Sequence, residues 1–331
     1  MDSGNKPIVS FLGPVASYSH QAVRQVFPEK IWELRPVNTI DDVFDEVQDH
    51  LVTAGVVPFE NSTNGSVVFT LDNLADRKGR YKDVTVDGEI FVDVHHCLLG
   101  RKNPNSKLDE AHEASGACTP TATDPVPLKP KSKPLGSLSH IRRLYSHPQA
   151  FGQCNAFIST YLKGVEIIDV SSTSKAAEIV SQDETGTWAA ISNHLALSLY
   201  SLDLLGKNIE DREDNTTRFL VIGTKPSVPS DWNLRKQTIA KSGSRSLVSF
   251  TVPHTSPGAL ADVLGCFTES NLNLTSINSR PSLLAPFQYV FFVEFEGHRY
   301  DDSDGRVKGA LEKIGHVAQS WRWLGSWERY R

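Results

Sequence analysis

Gln149 and Gln153 stand four residues apart, directly after Ser146, His147 and Pro148. On a helix that spacing puts both carboxamides on one face, and proline suits the first turn. The free N–H groups and partial positive charge of such a helix start would suit a carboxylate. The same residues also read as a Ser-x-x-Gln capping box, which needs no ligand. A second polar run, Asn61-Ser62-Thr63-Asn64, follows an apolar stretch; α/β folds place ligands there, although the run is also good turn sequence. A third run, Thr216-Thr217-Arg218, opens the apolar segment Phe219–Ile222. Arg218 could clamp a carboxylate through two donors, or pair internally with Asp214 or Glu213. No Gly-x-Gly-x-x-Gly, phosphate loop, Gly-x-Ser-x-Gly elbow or metal-ligand spacing accompanies these residues. His95-His96 sit in an apolar strand and read as structural.

The positioning elements follow a βαβ rhythm. Ile8–Gly13 reads as a strand and turn, followed by a helix capped by Ser17 or Ser19. Strands are expected at "TAGVVPFE", "EIFVDVHHCLLG", "VEIIDV", "TWAAIS" and "TTRFLVIG", and helices at "QAFGQCNAFISTYL", "TSKAAEIVSQ" and "HLALSLYSL". Residues 101–134, rich in Pro, Ser, Thr and Lys, cannot bury enough apolar surface to offset their ordering entropy and read as a mobile insertion. From Ser246 the order is βαββαβ, the ferredoxin-like signature, whose open sheet edges pair readily with a second copy.

Bulk properties narrow the class. The chain has 331 residues, 39% of them hydrophobic and 22% charged, with a net charge of −5. That composition is globular and points away from a nucleic-acid surface. No apolar run approaches the length of a membrane span. The four cysteines lack Cys-x-x-Cys spacing and read as reduced thiols. With no signal core at the N-terminus, a cytoplasmic location is expected.

Together, "FLGPVASYSHQA", "GVVPFENSTNGSV", "YSHPQAFGQCNAF", "STSKAAEIV", "AAIS" and "IEDREDNTTRFLVIG" resemble prephenate dehydratase in sequence and order, and cover most of residues 8–223. The later "GAL" at Gly258–Leu260 and "SRP" at Ser279–Pro281 resemble an ACT regulatory domain. The resemblance implies an α/β catalytic region over 6–225, two-lobed like a periplasmic ligand-binding protein. Lobe 1 would hold about 6–90 and 195–225, and lobe 2 about 91–194. A linker at 226–244 and a ferredoxin-like ACT domain at 245–331 would follow. The reaction implied is loss of CO2 and water from prephenate to give phenylpyruvate. It needs no cofactor or metal, because aromatisation supplies the driving force.

By the same resemblance Thr217 is nearest the departing hydroxyl, with Asn61, Ser146 and Gln153 as further catalytic residues. Ser19, Ser62, Thr173, Thr216 and Arg218 would hold the substrate. Phenylalanine would be the effector, bound by Gly258, Ala259, Leu260, Asn278, Ser279 and Arg280 at a homodimer or homotetramer interface. Asn278 departs from the family, which usually carries Glu before "SRP". Two alternatives stand beside this reading: an arogenate dehydratase, and a non-catalytic amino-acid sensor.

Overall fold

The computed structural model describes residues 6–103, 129–224 and 243–329. Most of the expected insertion and linker, residues 104–128 and 225–242, lie outside the described residues. In chain order the elements are β1 (Ile8–Leu12), α1 (Tyr18–Val26), β2 (Glu33–Val37), α2 (Ile40–Gln48), β3 (Ala54–Asn61), β4 (Gly65–Ser66), α3 (Val68–Ala75), β5 (Val84–Asp93), β6 (Cys97–Gly100), β7 (Arg143–Ser146), α4 (Pro148–Gly152), α5 (Asn155–Tyr161), β8 (Glu166–Asp169), α6 (Thr173–Ser181), β9 (Trp188–Ser192), α7 (His194–Leu199), β10 (Asp203–Gly206) and β11 (Thr216–Thr224). The βαββαβ segment follows as β12 (Ser244–Thr251), α8 (Ala259–Glu269), β13 (Leu274–Pro281), β14 (Tyr289–Glu296), α9 (Arg306–Val317) and β15 (Ser320–Glu328).

Contacts divide the chain into two compact units. The first holds Met1–Leu12, Ala22–Phe91 and Arg218–Arg331; the second holds Gly13–Gln21 and Val92–Thr217. In the first unit one sheet runs β13-β14-β12-β15-β5-β11-β3-β1-β2, with β4 paired to β3. The βαββαβ segment joins the preceding strands where Gly325 of β15 meets Val86 of β5. Gly325 has φ 152°, and a Cβ there would collide with the Val86 carbonyl, so only glycine permits the join. One apolar core spans it: Val57, Phe59, Leu220 and Ile222 pack with Leu247, Phe292, Leu324 and Trp327. Contact of this area is what fixes a strand as apolar as β11.

The second unit carries a sheet in the order β10-β6-β9-β7-β8. Its core gathers Leu98, Leu144, Phe157, Ile191 and Leu205 on one side, and Leu99, Tyr145, Ala176, Val180 and Ala190 on another.

Four expectations need correction. The chain was expected to leave lobe 2 near residue 195, yet β10 pairs with β6 in the second unit, and the contact boundary falls between Thr217 and Arg218. "EIFVDVHHCLLG" is two strands, β5 and β6, separated at Val94–His96. "QAFGQCNAFISTYL" is two helices, α4 and α5, because the Asp211 carboxylate accepts from the Ala156 N–H at 3.1 Å and caps a new helix there. The C-terminal end of the expected mobile insertion is held in place: the Lys131 ammonium lies 3.0 Å from Glu210.

Candidate active site

In the second unit, the break between β5 and β6 gathers the polar residues. Asp93 ends β5 and accepts from the Thr216 hydroxyl at 2.8 Å. Next to it, the Val94 N–H donates to the Asn215 carbonyl. His96 is 2% exposed. Its Nε2 lies 2.7 Å from Gln153 Oε1 and its Nδ1 3.0 Å from the Tyr18 hydroxyl. Burial lowers the His96 pKa, with Gln153 and Glu210 opposing, so the ring is neutral near pH 7. One of its nitrogens therefore donates and the other accepts. In one tautomer Nε2–H donates to Gln153 and Tyr18 donates to Nδ1, which leaves the Gln153 amide N–H pair as donors elsewhere.

Glu210 underpins this cluster. Its carboxylate accepts from the His96 N–H at 2.8 Å and contacts His95 Nδ1 at 3.1 Å and Lys131 at 3.0 Å. Burial alone would raise its pKa; the N–H donors, His95 and Lys131 more than offset that and hold it below the ordinary value. The segment bearing Ser19 is pinned to the same unit: Ser174 donates to the Val15 carbonyl and Asn193 Nδ2 donates to the Ala16 carbonyl at 2.6 Å. Ser19 is buried in α1, and Thr173 opens α6 beneath the Ser172 cap.

The opening reading of the Gln149/Gln153 pair fails in its details. α4 has five residues, too few for a helix dipole site, and its N-cap is His147, whose Nδ1 accepts from the Gln149 N–H. The Ser146 hydroxyl is fully buried and donates to the Ile191 carbonyl at 2.8 Å, so it makes no capping box. Gln153 is the C-cap of α4, not its second-turn partner to Gln149.

In the first unit, Asn61 ends β3, and its Oδ1 accepts from the N–H groups of Thr63 and Asn64, closing the turn that exposes Ser62. Arg218 is 6% exposed. It pairs with neither Asp214 nor Glu213: Asp214 binds Arg212, and Arg218 binds Glu294 of β14 through two hydrogen bonds of 3.0 and 2.8 Å. Strand periodicity puts Thr216 and Arg218 on one face of β11 and Thr217 on the other. Thr216 is hydrogen-bonded to Asp93 and Arg218 to Glu294, while Thr217 is half-buried on the opposite face.

Of the expected effector residues, Gly258 caps α8 with φ 84°, a conformation suited to glycine, and leads into Ala259 and Leu260. Asn278 and Arg280 already have partners: the Ser66 hydroxyl donates to Asn278 Oδ1 at 2.6 Å, and Arg280 binds Asp72 at 2.8 and 2.9 Å. Ser279 is exposed between them.

Sequence reasoning passed over Asp93, Tyr18, Glu210 and Glu294 and set His96 aside. The available signal was three ionisable groups, Asp93, His95 and His96, interrupting an apolar stretch; of these the structure buries only His96, and a buried polar ring is held by partners. Among the described residues no group of three or more His, Cys, Asp or Glu is arranged to hold a metal, and no helix is long and apolar enough to cross a membrane. Cys97, Cys154 and Cys266 are buried free thiols.

These features define an α/β enzyme class with a βαββαβ extension, and comparison with known proteins makes it specific. The prephenate dehydratase family model matches residues 9–227. The chain is 32% identical over 319 residues to the bifunctional chorismate mutase/prephenate dehydratase of Neisseria gonorrhoeae, covering 96% of this chain and 74% of that one. It is 32% identical to the prephenate dehydratase of Methanocaldococcus jannaschii, covering 89% and 90%. The solved prephenate dehydratase of Arthrobacter aurescens in complex with L-Phe aligns with a TM-score of 0.76 at 25% identity, covering 97% and 90%. The chain belongs to the prephenate dehydratase family, hydro-lyases that decarboxylate and dehydrate prephenate.

Proposed function

We propose that this chain turns prephenate into phenylpyruvate with Thr217 at the departing oxygen, under control of phenylalanine through an ACT domain at 245–331. The C–C bond to the ring carboxylate breaks and releases CO2. Its electron pair enters the ring and expels the ring hydroxyl as hydroxide, which takes a proton from solvent to become water. The protein's share is to hold two carboxylates and to donate to the oxygen as its charge develops. A threonine hydroxyl is too weak an acid to give up its proton outright; a hydrogen bond that strengthens as the C–O bond breaks suffices.

The observation that carries this reading is the split of β11, where Thr216 and Arg218 are tied to protein carboxylates on one face and Thr217 stands on the other. Gln153, held by His96 at 2.7 Å, is the best-supported donor to a substrate oxygen in the second unit. Ser19, Ser62 and Thr173 keep substrate-holding roles, and Asn61 and Ser146, expected to be catalytic, take positioning roles. Thr216 and Arg218 support the site indirectly. Phenylalanine control follows from the βαββαβ topology and the Gly258-Ala259-Leu260 helix start, with pairing of two copies completing the effector site and a cytoplasmic location in keeping with the substrate.

Phenylpyruvate absorbance tests the assignment. Thr217→Ser should keep kcat within about tenfold, whereas Thr217→Val should lose roughly 10²–10⁴ with KM little changed. Equal rates in both variants remove Thr217 from the reaction. A phenylalanine titration that alters neither rate nor mass removes the effector.

A further inference from the structure

Arg218 is one residue beyond the threonine assigned to the departing oxygen, yet its surroundings are built for other protein groups. Besides the paired contact with Glu294, its guanidinium lies 3.4 Å from Glu89 and 3.5 Å from Glu60, and 4.8 Å from the Phe59 ring centre. Arg245 meets Glu294 at 2.8 Å and Glu89 at 3.5 Å. Thr275 also donates to Glu294 at 2.9 Å. Side-chain exposure is 7% for Arg218, 2% for Glu89 and 1% for Glu294. Two guanidiniums and two carboxylates are thus buried together, and they tie β5 and β11, of the region matched by the family model, to β12 and β14 of the βαββαβ segment.

Stability does not account for this cluster. The Nε atoms of both arginines have no hydrogen-bond partner among the described residues, and the Glu89 carboxylate is approached by the Trp327 indole N–H beside the two guanidiniums. Desolvation raises the Glu89 pKa in spite of both neighbouring guanidiniums. A buried ion pair with unmet hydrogen bonds adds little over apolar packing of the same volume. What it does add is direction, since a forked guanidinium–carboxylate contact fixes two strands where apolar packing is non-directional. The following stretch of β11, Phe219–Ile222, is apolar and buried.

We propose that Arg218 is a positioning residue rather than a substrate anchor: Glu294 of the βαββαβ segment holds it, and through it sets the backbone that presents Thr217. The proposal rests on the reading of Thr217 given above, and it names the route by which the C-terminal segment acts on the reaction.

The test uses the full chain and the variants Arg218→Met, Arg218→Lys, Glu294→Gln and Glu294→Asp. Steady-state kinetics on prephenate and ¹⁵N-threonine spectra are recorded for each, with the Thr217 amide assigned by its loss in Thr217→Ser. Glu294→Gln and Arg218→Met should lower kcat about 10–100-fold with KM within about threefold, and each should shift the Thr217 amide. Arg218→Lys should recover part of the loss. A substrate anchor behaves differently: Arg218→Met would raise KM at least about tenfold and Glu294→Gln would leave KM unchanged or lower it, and that pattern overturns the proposal. If Glu294→Gln does not fold, Glu294→Asp, which keeps the charge and withdraws it by one methylene, takes its place. If the unaltered chain is inert toward prephenate, the functional reading fails, and the Thr217 amide still decides: shifted in the position 294 variants it upholds the coupling, unshifted it refutes it.

Discussion

Each unit buries one polar cluster, and the two are built from opposite materials. The first unit uses full charges, with Arg218 and Arg245 set against Glu89 and Glu294. The second uses mostly neutral groups, Tyr18, His96 and Gln153, over one carboxylate, Glu210. The chemistry explains the division. A set of fixed charges locks geometry but cannot yield a donor without leaving a charge exposed to a low dielectric. A neutral network can re-aim an amide or a hydroxyl by switching the tautomer of His96 at little cost. The rigid cluster is therefore suited to register and the neutral one to contact with a substrate.

The largest test of that contrast is truncation. Glu294→Ala leaves two guanidiniums facing Glu89 and the more exposed Glu60, and should cost about 3–5 kcal/mol of unfolding free energy. Gln153→Ala removes a neutral partner and should cost about 1–3 kcal/mol. Denaturant melts of the two variants give the comparison directly, and equal losses would erase the distinction between the clusters.

A second test sharpens the picture of the first unit. Asp87, on β5 two residues before Glu89, has no guanidinium partner among the described residues; burial raises its pKa to about 6, with only the Thr85 hydroxyl opposing. A carboxyl raised in the folded state binds a proton there more tightly than in the unfolded chain. Stability therefore falls as pH rises from the unfolded value through about 6. Asp87→Asn removes that penalty and should stabilise the chain by up to about 3 kcal/mol at pH 8, with the gain fading toward pH 4. A pH-independent effect would mean the cost lies in packing and not in charge.

What was readable in the sequence follows from range. The βαββαβ order depends on neighbours a few residues away, and local patterns carried it. Helix α2 went unread, although Thr39 and Asp42 form a capping box before Val43, Phe44 and Val47. The second-unit cluster was not readable, because its partners are far apart: Tyr18 and His96 by 78 residues, Asp93 and Thr216 by 123. The split of "QAFGQCNAFISTYL" depends on Asp211, 55 residues past Ala156. Arg218 marks the limit most sharply. A guanidinium beside a pair of threonines fits either a substrate or an ion pair, and only the fold brings Glu294 to it.

The smallest effect concerns how the neutral cluster answers acid. Burial lowers the His96 pKa below its ordinary 6.5, with Gln153 and Glu210 pulling the other way and His95 adding to the burial. Below pH 6.5 the unfolded chain takes up a proton that the folded ring refuses, so stability declines as pH falls, by at most about 1.4 kcal/mol per pH unit from this one group. Glu210 works in the same direction but in a lower window, because its folded pKa lies below 4.5 and its contribution survives until pH drops beneath that value. Denaturant midpoints of the unaltered chain and of His96→Asn, taken in steps from pH 7.5 to 5, separate the two. The variant should show the shallower decline over that range while both proteins behave alike below pH 4.5. Parallel curves from pH 7.5 to 5 would mean that His96 takes its proton inside the fold, and the second cluster would then carry charge as the first one does.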